Sequence, residues 1–202
     1  MITTVGIILA RGGSKRIPRK NLKPMCGRPL VEWTIIAAAE SKLDAVILSS
    51  DSDDILHVAR GHRCLPVKRP AEMATDDASS YPALLHAYDV WKMSFLTHAL
   101  DIMLLQPTSP LRDFSHVNAM LLEYRTRTAP RPTASFGESS NVPNGAMYLA
   151  PAMWVVDGNT WDCDDIARYV MADKESIDIN TQEEFCIAER RMENYLNTEI
   201  RV

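Results

Sequence analysis

The run Val5-Gly6-Ile7-Ile8-Leu9-Ala10, apolar throughout and ended abruptly by Arg11-Gly12-Gly13, constrains this chain more than any other segment. A strand solvated on one face alternates polar with apolar residues, whereas an unbroken apolar run needs cover on both faces, as inside a parallel sheet. Pro29 then opens a helical stretch from Leu30 to Ala39, and Ala45 to Ser50 supplies a second buried strand, completing a βαβ unit. Ser52 is placed to cap a helix to about Arg60, Leu65-Pro66-Val67 reads as a short strand, and Ser80 precedes a long helix beginning near Pro82. Asp101 to Leu105 is another buried strand. Ser115 can cap a helix to about Arg125, and Thr133–Phe136 and Ala146–Leu149 read as further strands. Thr181-Gln182-Glu183-Glu184 has capping-box spacing ahead of a final helix from Gln182 to about Leu196. Strands alternating with helices predict an α/β fold: a mostly parallel open sheet with helices on both faces, Rossmann-like, its ligands gathered at the carboxyl ends of the strands. With 202 residues, 46 % of them hydrophobic, one domain over 1–202 is expected.

Charge and cysteines narrow the function. A net charge of -4 gives no basic field for a nucleic-acid backbone, so nucleic acid is not an expected partner, and any anion site must be local. Cys26, Cys64, Cys163 and Cys186 contain no C-x-x-C pair, and they read as reduced thiols rather than a zinc ribbon or disulfide scaffold. The N-terminus lacks the pattern of a signal peptide, and no segment approaches the roughly 20 apolar residues of a membrane helix. A cytoplasmic protein without a membrane partner is the expectation.

The chemistry concentrates where the first strand ends. In Ala10 to Asn21, Gly12 and Gly13 let backbone N–H groups turn inward as a nest for phosphate oxygens. Arg11, Lys15 and Lys20 put positive charge beside that nest, making a triphosphate cradle. The segment matches neither the G-x-x-x-x-G-K-[ST] phosphate loop nor the G-x-G-x-x-G dinucleotide fingerprint. Elsewhere the bland readings hold: the histidines lack metal-ligand spacing with cysteines, and the tryptophans read as packing residues. Asp51, Asp53 and Asp54 suit a helix N-terminus at least as well as a metal.

Read together, ARGGSKRIPRKNL (10–22), KRPAEMATDDASS (68–80), LLQPTSPLR (104–112), NGAMY (144–148) and SIDINT (176–181) resemble the ordered motifs of the CMP-sialic acid synthetase family. These acylneuraminate cytidylyltransferases include the enzymes for legionaminic and pseudaminic acids. The resemblance implies transfer of CMP from CTP to a nonulosonic (sialic-type) acid with release of pyrophosphate. It implies that Arg11, Gly12, Gly13, Ser14, Lys15, Lys20 and Asn21 hold the CTP phosphates and ribose, with Arg11, Lys15 and Lys20 catalytic. Arg69, Ala78, Ser79 and Ser80 match the segment around cytosine and ribose. Gln106, Thr108, Ser109, Arg112 and Asn144 match the sugar side. Asp178 matches the first of two aspartates that bind Mg²⁺ in the family, and the second position is Asn180, which can ligate through oxygen but brings no charge.

A second departure is a gap. The family carries a long excursion between the strand after the Ser115 helix and the asparagine-glycine motif, bearing sugar-carboxylate contacts and much of a dimer interface. Here that arm is shortened to the interval 136–144, and Val142 stands where an arginine is expected. Arg131 is near in sequence as a replacement. A homodimer is implied by the resemblance but loses its arm. A transferase for a different sugar and a non-catalytic CTP-binding module are the alternatives.

Overall fold

The computed structural model describes residues 4–75 and 79–199. In chain order the strands are β1 (Thr4–Leu9), β2 (Pro24–Met25), β3 (Arg28–Pro29), β4 (Ala45–Ser50), β5 (Leu65–Lys68), β6 (Asp101–Leu105), β7 (Thr133–Gly137), β8 (Pro143–Pro151) and β9 (Ala167–Met171). The helices are α1 (Leu30–Ala39), α2 (Asp53–Val58), α3 (Ser80–Phe95), α4 (Phe114–Thr126), α5 (Ala152–Val156) and α6 (Gln182–Glu199).

The described residues form a seven-stranded sheet in the order β5-β4-β1-β6-β8-β7-β9. β5, β4, β1 and β6 pair in parallel, β8 runs antiparallel to both β6 and β7, and β9 is parallel to β7. β2 and β3 form a separate small hairpin. The apolar runs do what two-sided cover demands. Ile8, Leu48, Met103 and Leu105 point to one face, where they meet Val31 and Ile35 of α1, Ile55 of α2, and Val117, Met120 and Leu121 of α4. Val5, Ile7, Ile47, Ile102 and Leu104 point to the other, against Leu84, Tyr88 and Trp91 of α3 and Val155 of α5. The expected α/β architecture with helices on both faces is therefore the observed one.

Two caps differ from the sequence expectation, and a third was not read. Ser52 sits at the N-cap position of α2 but its side chain makes no cap bond. α3 begins at Ser80, two residues before Pro82, and Ser79 caps it by accepting from the Tyr81 N–H at 3.2 Å. α4 is capped by Asp113 rather than Ser115: its carboxylate accepts the Ser115 N–H at 2.9 Å and the His116 N–H at 3.2 Å. A carboxylate two residues upstream outcompetes the serine hydroxyl because an ionised acceptor makes the stronger bond to the helix N-terminus. The capping box at α6 forms as read, with Glu184 N–H donating to Thr181 Oγ1 at 3.2 Å and Thr181 N–H to Glu184 Oε2 at 2.7 Å. β9, α5 and the β2–β3 hairpin are elements the sequence reading did not contain.

Trp91 is 2 % exposed, with its ring 5.9 Å from that of Tyr88. Trp91→Ala should cost about 3–5 kcal/mol through lost burial and cavity formation, read as a lower urea midpoint with an unchanged slope.

Candidate functional site

The topology decides where a ligand can sit. From β1 the sheet extends to β4 on one side and β6 on the other, leaving a crevice at their carboxyl ends. Into that end open the loops after β1 (10–21), β4 (51–52) and β6 (106–113). Because β8 is antiparallel, it begins there with Pro143-Asn144-Gly145, and β9 ends there and continues into residues 172–181.

The first loop is tied to the end of β4. Gly12 N–H donates to Asp51 Oδ1 at 2.9 Å, and a Cβ on Gly12 would stand 3.0 Å from Ser52 Cβ, a tight approach that favours glycine. Gly13 and Lys15 are exposed, while Arg11 and Ser14 are half-buried. Asn21 turns inward: it is buried and its Nδ2 donates to the Arg11 carbonyl at 2.9 Å, so it braces the loop. Arg69 is 6 % exposed, and its Nη2 faces Asp51 at 3.7 Å. Burial, then the neighbouring Arg11, lower its pKa, with Asp51 opposing. Ser79 and Ser80 lie exposed at the start of α3; Ala78 lies outside the described residues.

Three chain-distant segments meet at Ile179. Its carbonyl accepts Lys20 Nζ at 2.6 Å, and its N–H donates to the Thr108 carbonyl at 2.8 Å. The Lys20 pKa is lowered by burial first and then by Arg11 and Arg16, while Asp178 pulls it back up. Thr108 Oγ1 and Ser109 Oγ are buried without a hydrogen-bond partner beneath the same loop. Arg112 corrects an expectation. It is 1 % exposed, donating to the Ala146 carbonyl at 3.1 Å and to Thr34 Oγ1 at 2.7 Å, so it shapes the Gln106 loop from below and does not present its guanidinium to a ligand. Burial pushes its pKa down to about 10, against the opposing charge of Asp113.

A cavity of about 540 Å³ opens beside these segments, with Gln106, Asn144, Gly145, Tyr148, Ser176 and Asp178 in its wall. Gly145 adopts φ +81°, and a Cβ there would stand 3.6 Å from Asp178 Cγ and 3.7 Å from Gln106 Oε1. Asn144 is committed internally, accepting from Ser135 Oγ at 2.6 Å and the Ala146 N–H at 3.1 Å while donating to Ser176 Oγ at 3.0 Å. Asp178 Oδ2 accepts Asn180 Nδ2 at 2.8 Å, whereas its Oδ1 is buried without a hydrogen-bond partner. The short β7–β8 connection is fastened by Asp173, which accepts from Ser139 N–H at 3.1 Å and Oγ at 2.6 Å, and by Arg168, which donates to the Ser140 carbonyl at 2.6 Å. Arg131 pairs with Asp165 at the entrance to β7, the opposite end of that strand, and does not reach the cavity.

Sequence reasoning did not single out Tyr148 or Ser176, although both stand inside motifs it quoted. Tyr148 follows Ala146 by two residues on β8, and burial, then Asp178, raise its pKa. Asp51, weighed as a helix-terminal charge or a metal ligand, instead holds the first loop.

The sequence profile described as cytidylyltransferase matches residues 5–144. The chain is 37 % identical over 123 residues to an N-acylneuraminate cytidylyltransferase of Escherichia coli, covering 60 % of this chain and 28 % of that protein. It is 26 % identical over 224 residues to the CMP-N,N'-diacetyllegionaminic acid synthase of Legionella pneumophila, covering 94 % and 96 %. The chain spans half or less of the length of the first curated relatives it matches, between 28 % and 50 %. In fold it is similar to a CMP:2-keto-3-deoxy-manno-octonic acid synthetase complexed with CTP, with a TM-score of 0.71 at 14 % identity over 96 % of this chain and 99 % of that one.

Gly145→Ala should lose about 1–2 kcal/mol of stability from the left-handed backbone alone, since the space itself admits a methyl group. Urea denaturation measures it, and an unchanged midpoint would contradict the assigned conformation.

Proposed function

The chain belongs to the cytidylyltransferase family, and from that premise we propose that it joins CMP from CTP to a nonulosonic, sialic-type acid with release of pyrophosphate. The observation that carries this reading is the 2.6 Å bond from Lys20 to the Ile179 carbonyl, which brings the cationic glycine loop against the segment bearing Asp178. The relatives' names support the acid class.

In this reading the N–H groups of the Gly12-Gly13-Ser14 turn, with Arg11 and Lys15, bind the triphosphate. Lys20, kept at the inner end of the loop, faces the phosphate nearest Asp178. The sugar occupies the cavity between Gln106, Tyr148 and Asp178. Its anomeric hydroxyl attacks the α-phosphorus in line and gives up its proton to solvent, and the bond to the departing pyrophosphate breaks while Arg11, Lys15 and the loop amides take up the developing charge. Positioning and neutralisation supply the rate, and no covalent intermediate is required.

The residues at 178 and 180 fit a hard cation. Asp178 Oδ1 is a buried oxygen without a hydrogen-bond partner, and the Asn180 amide beside it offers a second oxygen if it turns. No cluster of three His, Cys, Asp or Glu that could hold a metal occurs among the described residues, so nucleotide phosphates and water would have to supply the remaining ligands. Bound there, Mg²⁺ would neutralise phosphate oxygens.

One observation favours a second acceptor class. The cavity wall contains Asp173 and Asp178 but no lysine or arginine among the described residues, so a sugar without a carboxylate also suits it. No helix among the described residues is long and apolar enough to cross a membrane.

Pyrophosphate release from CTP and Mg²⁺ should appear with one of N-acetylneuraminic, legionaminic or pseudaminic acid; release only with neutral sugars would replace the acid reading with the second. Lys20→Ala should raise the KM for CTP about 10- to 100-fold with folding intact, the scale of a lost charged hydrogen bond. Unchanged kinetics would remove Lys20 from the cradle. Asn180→Asp should tighten Mg²⁺ binding, measured as the metal concentration giving half-maximal turnover; weaker binding would contradict the ligand assignment.

A further inference from the structure

His116, in the first turn of α4, bridges two chain-distant carboxylates. Its Nδ1 lies 2.8 Å from Asp113 Oδ1, beside the buried Arg112 that fixes the Gln106 loop. Its Nε2 lies 3.1 Å from Glu175 Oε2, on the segment that continues through Ser176 to Asp178. A neutral imidazole has one N–H and can donate to only one of these carboxylates; the imidazolium donates to both. Neutral with its proton on Nε2, the ring still donates to Glu175 but turns the Nδ1 lone pair toward the Asp113 carboxylate, accepting only the Asp113 N–H at 3.3 Å; with the proton on Nδ1 it donates to Asp113 and turns a lone pair toward Glu175.

We infer that His116 is a positioning residue whose imidazolium clamps the 172–180 segment to the start of α4 and thereby sets the separation of Gln106 and Asp178. None of His116, Asp113 and Glu175 lines the 540 Å³ cavity, so the clamp acts on it through the backbone of the 172–180 segment. The other groups around it agree with a held cation. From α6, the Tyr195 hydroxyl donates to Asp113 Oδ2 at 3.1 Å, and Arg191 donates to the Lys174 carbonyl at 2.8 Å. Lys174 approaches Glu175 at 3.9 Å, Ser115 Oγ donates to Asp113 Oδ1 at 2.6 Å, and Tyr169 of β9 lies in the field of Asp113, Glu175 and Glu123. Burial alone would lower the His116 pKa, but the bonds and charges of Asp113 and then Glu175 outweigh it and raise it above 6.5. Burial likewise works against the Asp113 carboxylate, yet the bonds from His116 and Ser115 hold its pKa well below the usual range. Since the folded pKa of His116 is the higher one, the clamp is complete below about pH 6.5 and is weakened, by loss of its charge and of one of its two donations, as pH rises through the folded value.

The clamp can be tested without turnover, while its effect on catalysis rests on the cytidylyltransfer reading. In the full chain, the His116 ring resonance, assigned by its loss in His116→Gln, should titrate above 6.5. Amide-exchange protection of residues 172–181, corrected for the intrinsic pH dependence of exchange, should fall about tenfold across the same titration. In His116→Gln that protection should be low and flat with pH. Glu175→Gln, which keeps the histidine, should bring the ring pKa down and reduce protection at pH 6. A ring that titrates at or below 6.5, a pH-dependent protection that survives in His116→Gln, or unchanged protection at pH 6 in Glu175→Gln would overturn the clamp. Where an acceptor sugar supports pyrophosphate release, its KM should rise over this pH range in the wild type and stay level in His116→Gln, with kcat little changed; a parallel rise in both would overturn the catalytic half. Absence of turnover with every sugar would instead count against the cytidylyltransfer reading and leave the exchange result standing.

Discussion

The site depends on one peptide unit pair at Ile179. Its side chain is fully buried with Ile17, Met25, Leu30, Phe185 and Ala188, and its backbone N–H and carbonyl reach in two directions, to Thr108 and to Lys20. The apolar anchor therefore fixes the height of a polar junction between the glycine loop, the Gln106 loop and the Asp178 segment. A buried backbone group left without a partner is costly, so the two loops and the segment hold one another in register. What a ligand meets at the crevice is prepared by packing beneath it.

The same economy governs the charged residues. In a chain of net charge -4, positive groups are gathered around one turn, and several are partly withdrawn from water. Arg69 is set against Asp51, which also fixes Gly12, so one carboxylate both neutralises a buried guanidinium and orients a loop amide. Arg112 has given up any role at the surface to brace β8 and α1. Lys15 stays exposed at the mouth of the crevice, whereas the buried Arg112 supplies shape.

This division explains what could be read from sequence. The inner strands and α1 were legible because two-sided burial writes itself as unbroken apolar runs, and Leu30–Ala39 and Ala45–Ser50 fall where those runs predict. The glycine loop was legible because its composition is local. β9 was not, since an edge strand with Arg168 and Val170 exposed carries no apolar run. The inward turns of Asn21, Arg112 and Asn144 were hidden for a different reason: each chooses a partner from another part of the chain, namely the Arg11 carbonyl, the Ala146 carbonyl with Thr34, and Ser135 with Ser176. A motif names a residue but does not say which way it faces. The serine caps failed similarly: Ser52 makes no cap bond and Asp113 takes the place read for Ser115, through geometry that spacing alone leaves open.

The bond between Lys20 and Ile179 joins residues 159 positions apart. Long loop closures of this kind are late events in folding, because their entropic cost must be met before the contact rewards it. During synthesis the β1–β4 unit and its glycine loop leave the ribosome long before the Ile179 segment exists. A nascent or C-terminally truncated chain can thus own most of its sheet and all of its cationic loop while lacking the wall that Asp173, Ser176 and Asp178 give the cavity.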